Sequence, residues 1–364
     1  MNYPIWVRYG RDAREMAADL LAAAQVERRI PAGASVAIKP NLVVPGPASL
    51  GAVTHPELVE GALRYLIDCG VTDITIMEGS WVGASTRQAF RDCGYDELAR
   101  RYDVRLLDLK GDETVQVTVD GETIWVCRSA LEAGYLINMP VIKGHCQTRM
   151  TCALKNLKGC IPDREKRRFH ALGLQRPIAL LAAALRPSVT LADGLCGDLE
   201  FEEGGNPVAM DRAALCFDPV RLDSWVCALL GFSPEDVPYI SMAEALGAGS
   251  TYFEPADIVP LNEPPSLPQA SPSRRIEELA RHIDARQACS ACYGSLLHAL
   301  SRMREAGTLP RVTGSIRVGQ GYRGQQLRGI GIGRCAAGCE RRLPGCPPTA
   351  RAIREFLEDA FRDS

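Results

Sequence analysis

Short apolar runs rich in β-branched residues alternate along the chain with stretches whose apolar positions recur every three or four residues. Residues 34–38 predict a buried strand that runs into Lys39, Pro40 and Asn41. Thr54, with Pro56 and Glu57 behind it, predicts a helix start, and Leu58, Leu63, Leu66 and Ile67 supply its apolar stripe until Cys69 and Gly70 end it. A second strand over 73–77 delivers Glu78, Gly79 and Ser80 at its carboxyl end; a helix over 86–102 and a strand over 104–109 follow. Residues 115–119 and 123–127, joined through Asp120 and Gly121, predict a hairpin.

Residues 135–142 predict a strand leading into Lys143, Gly144 and His145, and 148–157 a short helix carrying Lys155 and Asn156, closed by Gly159. A basic loop over 164–168 runs on to His170, a strand over 189–192 ends at Asp193 and Gly194, and helices fit 222–230 and 242–246. Strand, helix, strand, helix, strand predicts a largely parallel α/β sheet. Its ligands belong beyond the carboxyl ends of the strands, where Lys39, Asn41 and Glu78 emerge.

Six prolines, at 255, 260, 264, 265, 268 and 272, mark a linker over 254–273. It separates an α/β domain over 1–253 from a smaller, cysteine-rich α/β module over 274–364 that is expected to bind a cluster. Helices over 274–286 and 289–303, strands over 312–318 and 329–333, and a final helix over 349–361 are predicted there. Gly319, Gly321 and Gly324 match a dinucleotide-loop spacing, yet nothing after them opens a helix, so that reading is set aside.

A length of 364 residues suits two or three domains. The 46% hydrophobic and 24% charged fractions exclude a mainly disordered chain. A net charge of −2 gives no reason to expect nucleic acid. The apolar run 178–185 is far short of the ~20 residues of a membrane span. Residues 1–6 lack the basic start and apolar stretch of a signal peptide, so a cytoplasmic protein, without membrane or nucleic-acid partners, is expected. The composition leaves a homo-oligomer open.

Fourteen cysteines are many for a reducing compartment, where they do not read as disulfides. Five fall between 289 and 346: the pair Cys289 and Cys292, then Cys335, Cys339 and Cys346, the last followed by Pro347 and Pro348. Four thiolates are the usual complement of a [4Fe–4S] cluster. Cys289, Cys292, Cys335 and Cys346 are the expected ligands, with Cys339 as the substitute. Placement near helix N-termini would depress their thiol pKa values. A four-cysteine zinc site and plain buried thiols are the alternatives. Nine arginines and one acidic residue between 311 and 354 form either a solvated basic face or a dock for an acidic electron carrier or an anionic substrate.

Lysine is scarce: 36 arginines accompany only six lysines, and four of the six lie between 143 and 166. An ammonium on a flexible stem can have its pKa lowered for acid–base work. Lys39, Lys143, Lys155 and Lys158 are expected to hold a carboxylate or phosphate, with Asn41, Asn138 and Asn156 orienting neutral oxygens. Lys155 and Lys158, three apart, would share a helical face. His145 is the proton-transfer candidate, beside Lys143 and Lys155 as catalytic groups. Cys146, Cys152 and Cys160 flank them and read mainly as inert thiols, while His170 with Lys166 reads as a surface loop. Glu202 and Glu203 read as a turn that lines the site.

The stretches 36–41, 137–145 and 153–162, carrying these lysines and asparagines in order, resemble the domain-of-unknown-function family numbered 362 over about residues 34–250. That resemblance implies iron–sulfur modules, commonly ferredoxin-like segments. This chain departs from them, because its Gly345-Cys346-Pro347-Pro348 segment is similar instead to the cluster segment of the small electron-transfer subunit of respiratory complex I and related hydrogenases. The expected function is an iron–sulfur oxidoreductase that acts on a small anionic organic substrate. The competing readings are a non-catalytic electron carrier or scaffold, and a lyase or isomerase using the cluster as a Lewis acid.

Overall fold

Eight strands form the main sheet of the computed structural model, which describes residues 3–266, 275–309 and 316–362. Their spatial order is Ile258–Pro260, Ile5–Tyr9, Pro207–Cys216, Val189–Asp198, Tyr135–Met139, Val36–Pro40, Ile74–Glu78 and Arg105–Asp108. The last five in that order run parallel. Pro207–Cys216 is antiparallel to both of its neighbours and so joins the N-terminal strand to the parallel block. A second sheet of four parallel strands, Ile283–Ala285, Ile316–Val318, Leu327–Ile332 and Cys339–Leu343, lies in the C-terminal part of the chain. The fold is therefore α/β, with one large, mostly parallel sheet and one small parallel sheet. Two compact units result: residues 1–165 with 175–272, and residues 166–174 with 273–364.

The core of the large unit shows why its strands read as continuous apolar runs. Ile38, Ile76 and Ile137 from parallel strands are buried with Leu58, Leu63 and Leu66 of the helix Pro56–Asp68 and with Met16, Leu20 and Leu21 of the helix Ala13–Ala23. Parallel strands covered by helices carry apolar residues on both faces. The hairpin Thr114–Val119 with Glu122–Cys127 turns through Asp120 and Gly121, both at positive φ, as an Asp-Gly turn demands.

Several expectations need correction. Thr54 does not cap the helix; His55 stands at the N-cap, and the Thr54 hydroxyl accepts from the Asn41 N–H and donates to the Met139 carbonyl. The helix expected over 86–102 is two, Thr86–Asp92 and Tyr95–Tyr102, broken where Gly94 takes a φ of +83°. Residues 148–157 are not one helix: Arg149–Thr151 pairs with Lys143–His145 as a small hairpin, and only Ala153–Asn156 is helical. The basic loop at 164–168 belongs to the helix Asp163–Leu172, in which Lys166 and His170 are buried. The strand expected over 189–192 continues to Asp198 through an irregularity between Gly194 and Cys196. Ile258–Pro260, within the Pro-rich stretch, pairs with Ile5–Tyr9 and is itself the edge strand of the sheet. In the C-terminal part, Arg275–Ala280 is helical but Ile283–Ala285 is a strand. Pro268, Pro272, Arg274, Arg311 and 312–315 lie outside the described residues.

Candidate functional site

Three neighbouring parallel strands bring the first group together. Lys39 stands in register with Asn138, and Glu78 ends the next strand. The Lys39 side chain is fully buried, and its ammonium donates to Glu78 Oε2 (2.9 Å), the Pro40 carbonyl (2.9 Å) and Asn156 Oδ1 (3.3 Å). Those are all three donors an ammonium has. The carboxylate of Glu78 also accepts from the N–H groups of Gly79 and Leu42. Asn156 Nδ2 donates to Asn138 Oδ1 at 2.8 Å, and Asn138 Nδ2 to the Ala153 carbonyl at 2.9 Å. The network closes on itself, the condition under which a buried ion pair is tolerated. Gly159 makes room for it: a Cβ there would run into Glu78 Oε1 and Lys39 Nζ.

A second group gathers on Glu202. Lys155 Nζ donates to Glu202 Oε1 at 2.7 Å, His145 Nε2 lies 2.9 Å from Oε2, and Lys143 Nζ donates to the Glu202 carbonyl (2.9 Å) and the Ala52 carbonyl (2.5 Å). Burial opposes ionisation of Glu202, but Lys155, His145 and Lys143 hold its carboxyl well below the usual range. Burial, reinforced by Lys155, lowers Lys143 to about 8 against the pull of Glu202. It also lowers His145 to about 4, with Lys155 and Lys158 acting in the same direction. The ring is therefore neutral at pH 7. Its Nδ1 accepts from the N–H groups of Gln147 and Thr148, so the proton sits on Nε2, facing Glu202.

The short helix Ala153–Asn156 links the two groups, because consecutive helical residues diverge: Asn156 turns to Lys39 and Lys155 to Glu202. Buried Asp223 holds that helix, taking the Ala153 N–H on Oδ1 (2.7 Å) and the Leu154 N–H on Oδ2 (3.1 Å). The helix ends before Lys158, which stands in the 3-10 turn Leu157–Cys160, so the expected shared face with Lys155 does not form. Asn41 is buried, its main chain tied to Thr54 in both directions. The Cys152 thiol is pushed well up by burial, which leaves it inert. Nothing in the sequence marks Asp223, since a carboxylate serving a helix 70 residues away carries no local signal.

In the small unit, Cys289 stands at the N-cap of the helix Ser290–Glu305, Cys292 lies in its first turn, and Cys335 sits in the 3-10 turn Arg334–Ala336. Burial pushes the Cys292 thiol up to about 12, and Cys289, Cys346 and Cys335 add to the rise. Desolvation and the three neighbouring cysteines thus act on Cys292 against the depression expected near a helix N-terminus. Arg323 Nε donates to Cys335 Sγ at 3.3 Å and feels Cys289 and Cys346 as well. Cys339 is elsewhere, packed in a small core with Tyr322 and Ala336. Among the described residues, no group of three or more His, Cys, Asp or Glu side chains stands in metal-holding geometry. Part of the basic surface is neutralised on the final helix, where Arg351 and Arg354 pair with Glu355 and Glu358.

A family model described as a domain of unknown function, DUF362, matches residues 36–228. A thylakoid-associated protein of Synechocystis sp. is 26% identical over 246 residues, covering 65% of this chain and 74% of that protein. The lactate racemase apoprotein from Thermoanaerobacterium thermosaccharolyticum is similar in structure at a TM-score of 0.37 and 13% identity, over 56% of this chain and about half (53%) of that one. No helix among the described residues is long and apolar enough to cross a membrane.

Proposed function

Since the chain belongs to the DUF362 family, whose description assigns no reaction, we propose a function from its own residues: an iron–sulfur oxidoreductase acting on a small anionic organic substrate. The observation that carries this reading is that Cys289, Cys335 and Cys346 all act on the Cys292 thiol, whereas Cys339 is withdrawn into a core. Four sulfur donors fit a [4Fe–4S] cluster, and zinc is the alternative occupant. A bound cluster would supply single electrons. In the large unit, a substrate carboxylate competes with Glu202 for Lys155 and Lys143. Lys143, at about 8, gives or takes a proton near neutral pH. His145 presents its Nε2 proton to Glu202 and joins the proton transfer through that carboxylate. Lys158 adds positive charge, and Asn41 lies in the same region of the sheet. Lys39, Asn138 and Asn156 serve as the buried framework that holds the helix bearing Lys155.

Saturation of the Lys39 ammonium favours a second reading, in which the protein is a non-catalytic carrier. Anaerobic purification with iron, sulfide and zinc analysis tests the cofactor. About four irons and four sulfides per chain, with a visible band bleached by dithionite, support the proposal. A colourless protein holding one zinc overturns it. With the cluster established, Lys155→Met separates the two readings: lost turnover on anionic substrates at unchanged iron content supports the enzyme.

A further inference from the structure

Cys196, His55 and Asp193 form a chain that neither the Glu202 group nor the cysteine module uses. His55 Nδ1 lies 2.8 Å from Asp193 Oδ2, and His55 Nε2 lies 3.9 Å from Cys196 Sγ. Asp193 is fully buried and held in place: Oδ2 also takes the His55 N–H at 2.7 Å, and Oδ1 takes the Leu195 N–H at 3.1 Å. Cys196 follows the irregularity in Val189–Asp198, the kind of strand defect that re-aims a side chain near active sites. Its Sγ also meets the Ala48 carbonyl at 3.5 Å, and both Cys196 and His55 keep partial access to solvent.

We propose that Cys196 is an activated nucleophile, with His55 as its base and Asp193 as the orienting carboxylate, that accepts acyl groups from esters or thioesters. Nucleophile, base and orienter in one hydrogen-bonded line is the arrangement that acyl transfer requires. Burial alone would lower His55, but Asp193 and Cys196 raise it to about 10, which favours an imidazolium beside the sulfur. In the resting pair the proton of Cys196 sits on His55 Nε2, and the thiolate attacks the carbonyl carbon. A C–S bond forms, and the bond to the alkoxide or thiolate leaving group breaks as that group takes the proton from Nε2. Water, deprotonated by Nε2, then cleaves the acyl-cysteine to release the acid and restore the thiol.

The probe is p-nitrophenyl acetate with the full-length protein at pH 7. The expected result is a burst of about one p-nitrophenolate per chain with the acetyl group mapped to Cys196, the burst lost in Cys196→Ala and slowed at least ~100-fold in His55→Gln. A burst retained in Cys196→Ala, or unchanged in His55→Gln, overturns the proposal. Iodoacetamide labelling of the unaltered protein keeps the test independent of variant folding. Cys69 is exposed, with its thiol raised by burial and Glu27, so it serves as the internal reference. Cys196 labelled at least ~10-fold faster than Cys69 supports an activated thiolate; equal or slower labelling overturns it.

Discussion

Lys155 Nζ sits 2.7 Å from Glu202 Oε1, both side chains nearly buried, and 47 residues of chain separate them. Desolvating two charges costs several kcal/mol, and their mutual attraction offsets this only while both are present. Glu202→Gln therefore leaves an uncompensated ammonium and is expected to destabilise the large unit by about 3–5 kcal/mol. Lys155→Met with Glu202→Gln together should cost less than the sum of the single changes, by more than ~1 kcal/mol. Urea denaturation of the four proteins measures the coupling; additive losses would mean that the pair contributes nothing.

The two histidines shape the pH dependence in opposite directions. His145 stays neutral in the fold down to about 4, whereas an unfolded imidazole protonates near 6.5. Its contribution is fully present above pH 6.5 and is lost as pH falls through about 4. His55, held at about 10, contributes fully below pH 6.5 and loses that contribution as pH rises through about 10. His145→Gln should flatten the acid limb of stability against pH by up to ~3 kcal/mol, and His55→Gln the alkaline limb by up to ~5 kcal/mol. Lys143, at about 8 against an ordinary 10.5, acts oppositely in the alkaline range, so the variant must be compared with the parent. Unchanged limbs in both variants would refute the assignment.

Much of this architecture was legible because it is local. The apolar runs at Val36–Pro40, Ile74–Glu78 and Tyr135–Met139 and the Asp120-Gly121 turn carry their own signals. The rare lysines and asparagines do converge, as Lys39 with Asn138 and Asn156 shows. Less legible was who neutralises them. Glu78 reaches Lys39 from the neighbouring strand, Glu202 reaches Lys155 from the turn after Val189–Asp198, and the Asp193–His55 pair spans 138 residues. Helical periodicity also hid the break at Gly94, since one glycine within an amphipathic pattern leaves the apolar spacing intact.

Gly159 offers a steric check on the Lys39 network. A methyl group there meets Glu78 Oε1 and Lys39 Nζ, which are pinned by their own hydrogen bonds and have little room to give. Gly159→Ala is expected to cost about 1–3 kcal/mol by overpacking. The comparison is Gly173→Ala, where nothing lies within 4 Å but φ is +82°, so that any loss there is conformational. Equal denaturation midpoints for Gly159→Ala and the parent would show that the cage is loose.

The cysteines allow the sharpest discrimination, because under the proposed cluster five thiols compete for four ligand positions. Cys335 interacts with Arg323 and acts on Cys292, whereas Cys339 is buried against Tyr322 and Ala336. Cys335→Ser should abolish iron binding, since a hydroxyl is a poor substitute for a thiolate. Cys339→Ala should keep the full iron content and lose only packing, about 1 kcal/mol. Iron and sulfide analysis of the two variants purified side by side decides it. Iron lost from Cys339→Ala and kept by Cys335→Ser would exchange their roles and require Cys339 to leave its core on cluster binding. Iron lost from both, with parental denaturation midpoints, would mean that all five cysteines serve the site.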